Sequence, residues 1–304
     1  MRRRHFILSA SGILATLAAP RRAWAADPVS GRFAVTGGTL GYRRYGTAGR
    51  PYVLLSGGPG LNSSYVDPIA IELSHERTIV VLDQRGTGTS RDAIGDGSQL
   101  TVAGAIADLD ALRAALGLTH LSLLGHSWGA MLSMAYAAAH GDRVASLVLL
   151  DPGGPDPSFF ISFRQMLENH MTADDKAAAA AAQNDPQAQQ RVLLPAYFHD
   201  RAKGVAFAAA LPAQSSYPDV MRTMFNDVAA HYDVTAGLRN TPIPVLLIYG
   251  TDDPSRSASL QLDALFPHAA KAVIADAGHF PWVENPVPFY LAVRAFLSGA
   301  PPPS

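Results

Sequence analysis

Short apolar runs that end in glycine-rich turns, separated by stretches with helical spacing, set the pattern of this chain. Residues 52–55 run into Ser56-Gly57-Gly58-Pro59-Gly60, 78–82 into Asp83-Gln84-Arg85-Gly86, and 121–124 into Gly125-His126-Ser127. Further on, 144–150 run into Asp151-Pro152-Gly153-Gly154, 245–249 into Gly250-Thr251-Asp252-Asp253, and 272–274 lead to Gly278-His279. Strands this continuously apolar need cover on both faces, the situation of a parallel sheet between helix layers. Ahead of them, 32–35 and 40–45 alternate around Gly37-Gly38 and predict a β-hairpin. Val102, Ile106, Leu109, Leu112 and Leu116 recur at helical spacing, with Asp108, Asp110 and Arg113 between them, and Gly117 ends that helix. Residues 128–140 and 286–297 predict two more helices, the first packed inside the sheet layers. The expected fold is α/β, with a mostly parallel central sheet flanked by helices.

Residues 155–241 break the rhythm. They hold an alanine run at 177–182, several prolines (Pro186, Pro195, Pro212 and Pro218 among them) and no strong strand, which predicts a helical lid inserted between two strands. The core is then 26–154 together with 242–298, followed by a disordered tail at 299–304. No repeat of 20–50 residues is visible, which excludes solenoids and propellers.

Composition narrows the chemistry. Of 304 residues, 48% are hydrophobic and 16% charged, enough apolar material for a large core and too much for a disordered chain. There is no cysteine, so thiolate metal sites and cysteine nucleophiles are excluded. The net charge of −1 conceals an asymmetry, because residues 1–25 carry five arginines and no acid. The rest has a net charge of −6, which disfavours nucleic acid or anionic membrane as a partner. Those first residues read as an export leader: Arg3-Arg4-His5-Phe6-Ile7 resembles a twin-arginine signal, an apolar stretch follows, and Ala23-Trp24-Ala25 suits cleavage. The apolar stretch is shorter than the roughly 20 residues that span a bilayer. The expected location is the periplasm or beyond, with no membrane contact apart from export.

Gly125-His126-Ser127-Trp128-Gly129 fits G-x-S-x-G between a strand and a helix. A serine at so sharp a turn is strained and exposed, and side chains in place of the flanking glycines would collide with the helix and the neighbouring strand. Its hydroxyl needs a base, and the base an orienting acid. Of ten histidines, only His279 follows the last strand directly after a glycine. His126, next to the serine, is expected to turn its ring away from the substrate side. Asp252 and Asp253 compete for the acid, with Asp151, at the end of the preceding strand, a third candidate. An acid three residues after the strand-ending glycine selects Asp253. An oxyanion needs two backbone N–H donors, Trp128 and one of Gly57 or Gly58. No metal cluster or dinucleotide loop is present, so no cofactor is implied.

These segments resemble the α/β-hydrolase superfamily and, within it, the proline iminopeptidase family of serine peptidases. Residues 56–60 are similar to that family's HGGPG loop, with Ser56 in place of histidine. Residues 83–90, Asp-Gln-Arg-Gly-Thr-Gly-Thr-Ser, are similar to its DQRGxGxS segment, and 125–129 to its GGSWG elbow. The resemblance implies a Ser127–His279–Asp253 triad and a free-amine substrate held by lid glutamates. Yet the chain has four glutamates, Glu72, Glu76, Glu168 and Glu284, of which only Glu168 falls in the lid. Asp200, Asp219, Asp227 and Asp233 are the other lid carboxylates weighed for that role. The expected partner is a small molecule or short peptide. An aminopeptidase is expected, with a carboxylesterase as the alternative and a non-catalytic binding protein on the same scaffold as the least favoured reading.

Overall fold

The computed structural model describes residues 27–239 and 241–299. The export leader read at 1–25 and the tail beyond Gly299 lie outside the described residues.

Eight strands form one sheet in the order β1-β2-β4-β3-β5-β6-β7-β8. They are β1 (Val29–Val35), β2 (Gly38–Tyr45), β3 (Tyr52–Leu55), β4 (Ile79–Leu82), β5 (Leu121–His126), β6 (Val144–Leu150), β7 (Val245–Gly250) and β8 (Ala270–Ile274). The hairpin β1–β2 and the pair β2–β4 are antiparallel, and every other pairing is parallel. Side chains alternate across a strand, so each apolar run feeds two cores. Val53, Leu55, Leu123, Leu147, Leu149 and Leu247 enter one; Leu54, Leu124, Val148, Leu150, Leu246 and Ile248 enter the other.

The helices are α1 (Asp67–Leu73), α2 (Val102–Ala115), α3 (Trp128–Ala139), α4 (Phe159–His170), α5 (Ala173–Ala181), α6 (Pro186–Leu193), α7 (Arg201–Ala210), α8 (Pro218–His231), α9 (Thr235–Leu238), α10 (Ser259–Leu265), α11 (Pro281–Glu284) and α12 (Pro286–Leu297). Leu109 and Leu112 of α2 and most of α3 fill the first core; Ile69, Leu73, Phe289 and Val293 of α1 and α12 fill the second. Helices α4 to α9 all lie between β6 and β7 in the chain. Thr172 opens α5 with a capping box closed by Asp175, while Asp185 and Asp200 cap α6 and α7, satisfying N–H groups that a helix start leaves unpaired.

The segment after β4 is pinned from several sides. Arg85 forms two bonds to the buried Asp108 of α2, Nε to Oδ2 at 2.9 Å and Nη2 to Oδ1 at 2.5 Å, and a third to the Ala93 carbonyl. Asp83 accepts from Arg43, Ser63 and Thr89. Burial pushes the Asp83 carboxyl up, but Arg43 and the hydroxyl donors outweigh it and hold the group below its ordinary value.

Candidate active site

The turn from β5 into α3 carries Ser127 at φ 54°, ψ −118°, in the left-handed half of backbone space that L residues avoid. Local sterics demand glycine on both sides of it. A Cβ on Gly125 would lie 2.3 Å from the Gly129 carbonyl oxygen, and one on Gly129 2.3 Å from that of Leu55. The Ser127 N–H donates to the Leu150 carbonyl at 2.9 Å, and its own carbonyl accepts from Ala130 and Met131, which starts α3. The half-buried side chain therefore stands at the helix N-terminus, where developing negative charge is favoured.

His279 follows β8 and shares the cavity in front of Ser127. Its backbone N–H donates to the Tyr197 carbonyl at 2.7 Å, and the preceding Gly278 N–H donates to Glu284 at 2.6 Å. The other oxygen of Glu284 accepts from the Asp200 N–H, tying this loop to the helical insert. Imidazole Nδ1 and Asp253 Oδ1 are 2.7 Å apart, with Asp253 fully enclosed. Asp252 is directed elsewhere, to His199 Nδ1 at 2.8 Å. No hydrogen bond joins Ser127 Oγ to His279 among the described residues; such contacts tighten once substrate is engaged.

Asp151 is also wholly buried and lies against Asp253. It accepts from the Gly250 N–H at 2.9 Å, while its second carboxyl oxygen has no donor. Burial and the neighbouring Asp253 charge raise the Asp151 carboxyl well above its ordinary value. Asp253 is pushed up by burial too, but His279 and both donors of Ser255 bring it below. Both carboxyls are buried; Asp253, with three donors against one, is the ionised member of the pair, and Asp151 keeps the proton. A folded-state pKa raised above the unfolded value of about 3.9 makes stability fall as pH climbs between the two. Asp151→Asn, which removes that ionisation, is expected to raise the melting temperature, by more at about pH 8 than at about pH 4. Thermal scans of both proteins across that range check it; an equal or lower value at the higher pH would contradict the assignment.

His126 does not turn away, contrary to the expectation for its position. It borders the cavity, with its ring centroid 4.7 Å from that of His279. Strand β5 is buried on both faces, so a residue at its end packs against the next loops instead of facing solvent. Its Nε2 lies 2.9 Å from the His279 carbonyl, which can only accept, so Nε2 carries hydrogen. Burial, then the nearby His279, holds the ring neutral by lowering its pKa well below the ordinary value. Nδ1 therefore accepts, and Tyr65 donates to it at 2.8 Å. The Tyr65 oxygen in turn accepts the N–H of Gly57.

That last bond sets the two glycines apart. Gly57, read from the sequence as one possible oxyanion donor, has its N–H committed to Tyr65. The N–H groups of Gly58 and Trp128 have no partner among the described residues. Gly58 sits at φ +118°, a conformation only glycine tolerates.

The cavity measures about 450 Å³. Trp128, Met131, Phe159, Phe160, Phe163, Tyr197, Met221 and Phe225 line it with the reactive residues. Its wall holds Gln189, Gln190 and, at an exposed position, Arg222, but no aspartate or glutamate among the described residues. Glu168 is exposed on α4 and takes no part in the wall. Asp200 caps α7, Asp219 pairs with Arg91, Asp227 accepts from the Val102 N–H, and Asp233 accepts from Thr235. Sequence reasoning missed Tyr65 and the aromatic wall; the Phe159, Phe160 and Phe163 cluster opening α4 was the available signal.

A serine elbow at the carboxyl edge of a mostly parallel sheet, backed by an imidazole and a carboxylate, is the arrangement of an α/β serine hydrolase. The α/β hydrolase fold family matches residues 51–286, and the chain belongs to that family and is an enzyme, a serine hydrolase. It is 31% identical over 258 residues to a protein of Caulobacter segnis named as carbamate hydrolase RutD, spanning 83% of this chain and 93% of that one. It is 27% identical over 272 residues to a proline iminopeptidase of Lactiplantibacillus plantarum, spanning 82% and 92%. Among solved structures, a proline iminopeptidase of Mycobacterium smegmatis matches with a TM-score of 0.67 at 22% identity, over 89% of this chain and 98% of that one. This last likeness is one of fold.

Proposed function

We propose that this enzyme hydrolyses small esters with an uncharged, apolar acyl group through an acyl-enzyme on Ser127. His279 Nε2 takes the hydroxyl proton as Oγ attacks the carbonyl carbon, and Asp253 holds the imidazolium that results. The carbonyl oxygen becomes an oxyanion received by the N–H groups of Gly58 and Trp128. The imidazolium then gives its proton to the departing alkoxide. A water molecule, deprotonated by the same ring, cleaves the acyl-enzyme and releases the acid.

The observation that carries this reading is the cavity wall. It is aromatic and aliphatic, and no carboxylate lines it among the described residues. An ammonium brought here would lose its water with no counter-charge, at a cost of several kcal/mol. A proline iminopeptidase-like activity on peptides or amides is the second reading, favoured by the three sequence segments and by the Lactiplantibacillus relative. The name of the Caulobacter relative adds carbamic esters to the substrates worth testing.

The experiment compares kcat/KM on a short-chain 4-nitrophenyl ester, an aryl carbamate, proline 4-nitroanilide and its N-acetyl derivative. The ester is expected to be turned over fastest, with the two anilides slow and alike. Faster cleavage of free proline anilide, abolished by N-acetylation, would replace this reading by the second.

A further inference from the structure

Gln84 belongs to the segment after β4, and the reaction just described gives it no task. Its side chain is bonded at both ends. The indole Nε1–H of Trp128 donates to Gln84 Oε1 at 2.9 Å. Indole nitrogen only donates, so the amide oxygen must face Trp128 and the amide nitrogen the opposite side. There Nε2 donates to the Ser56 carbonyl at 2.8 Å and reaches Ser56 Oγ at 3.2 Å. Ser56 immediately precedes Gly57 and Gly58. One amide plane therefore spans the two segments that supply the free N–H donors.

Gly57 and Gly58 have no side chains with which to hold that spacing, so the pair must be braced by its neighbours. Tyr65 does this on the Gly57 N–H. Gln84 is placed to do it on the other flank, and its own backbone is fixed, with its carbonyl accepting from Thr87 Oγ1 at 2.7 Å and Thr87 N at 3.0 Å. The neighbours Asp83 and Arg85 are anchored to Arg43 and Asp108.

We propose that Gln84 is a positioning residue of the oxyanion hole, its amide holding the Ser56 carbonyl and the Trp128 indole so that the Gly58 and Trp128 N–H groups converge on one oxygen. The proposal rests on the acyl-enzyme reading above. Its signature is a loss of transition-state binding without a matching loss of substrate binding.

The test compares the parent enzyme with Gln84→Ala, Gln84→Glu, Trp128→Phe and the Gln84→Ala/Trp128→Phe double variant. The readouts are kcat and KM on the 4-nitrophenyl ester, the Ki of an arylboronic acid that adds Ser127 Oγ to boron, and the melting temperature. Gln84→Ala is expected to lower kcat about 10- to 100-fold, with KM changed less than about threefold and boronate affinity reduced in step with kcat. Gln84→Glu can still accept from the indole but sets a carboxylate oxygen against the Ser56 carbonyl, so its loss should be at least as large. Trp128→Phe should lose less, and the double variant should be no worse than Gln84→Ala.

Unchanged kcat and boronate affinity in Gln84→Ala would overturn the proposal. So would a loss confined to KM and melting temperature, or single-variant losses that multiply in the double variant. Failure of the acyl-enzyme reading looks different: the parent itself would resist the boronate, or Ser127→Ala would keep its turnover.

Discussion

Ser127→Ala is expected to lower kcat by about 10⁶-fold and to abolish labelling by a fluorophosphonate, with the fold intact. The size follows from what the hydroxyl does. Without an oxygen at that position no acyl-enzyme forms, and the remaining machinery can only hold the substrate near water. The variant still occupies φ 54°, so the backbone strain of the elbow is carried over and stability changes little. Ester turnover, measured beside labelling with the same probe, checks the prediction; parent-level rates in the variant would overturn the assignment of the nucleophile.

The second large effect is expected from Asp253→Asn, a loss in kcat of about 10⁴-fold. Asp253 accepts from His279 Nδ1 at 2.7 Å and from the Ser255 N–H at 3.0 Å, and also from the Ser255 hydroxyl. An amide can put its one oxygen toward only part of that donor set, and its NH₂ favours the imidazole tautomer that leaves Nε2 protonated and unable to act as base. The same substitution changes the pH dependence of stability. The folded carboxyl titrates below its ordinary value despite burial, because His279 and Ser255 outweigh desolvation. Such a group stabilises the fold above its unfolded pKa, and that contribution is lost as pH falls through the folded one. In Asp253→Asn this part of the acid sensitivity should vanish. Parallel kinetics and acid melts of the two proteins test both halves; activity within tenfold of the parent would show that Asp151 or another acid supports His279.

Much of this molecule is legible in its residues. The apolar runs place strands to within a residue or two, since a doubly covered strand must be apolar at successive positions. Residues 78–82 begin one position early: the Thr78 carbonyl accepts from Tyr52 of β3, but its N–H and hydroxyl turn to the Ala48 carbonyl, and β4 is counted from Ile79. The run at 272–274 extends back to Ala270, where the edge strand β8 alternates with partly exposed positions that apolarity alone does not mark. The direction of His126 was misread, since facing residues from the His279 loop decide it. The free-amine expectation met a wall built by α4, α6 and α8; Glu168 of α4 is exposed, and Asp219 and Asp227 of α8 serve Arg91 and the Val102 N–H, none of them in that wall.

The amino-acid sequence alone determined the layered α/β plan and the serine elbow. Both follow from local causes, namely side-chain alternation along a strand and the steric need for Gly125 and Gly129 around a left-handed residue. Only the tertiary structure decided that Asp253 serves His279 while Asp252 serves His199, that Gly57 yields its N–H to Tyr65, and that no carboxylate lines the cavity among the described residues. Those outcomes depend on which of several neighbouring donors and acceptors meet in space. That is set by packing between segments more than a hundred residues apart as well as close ones, and residue order does not encode it locally.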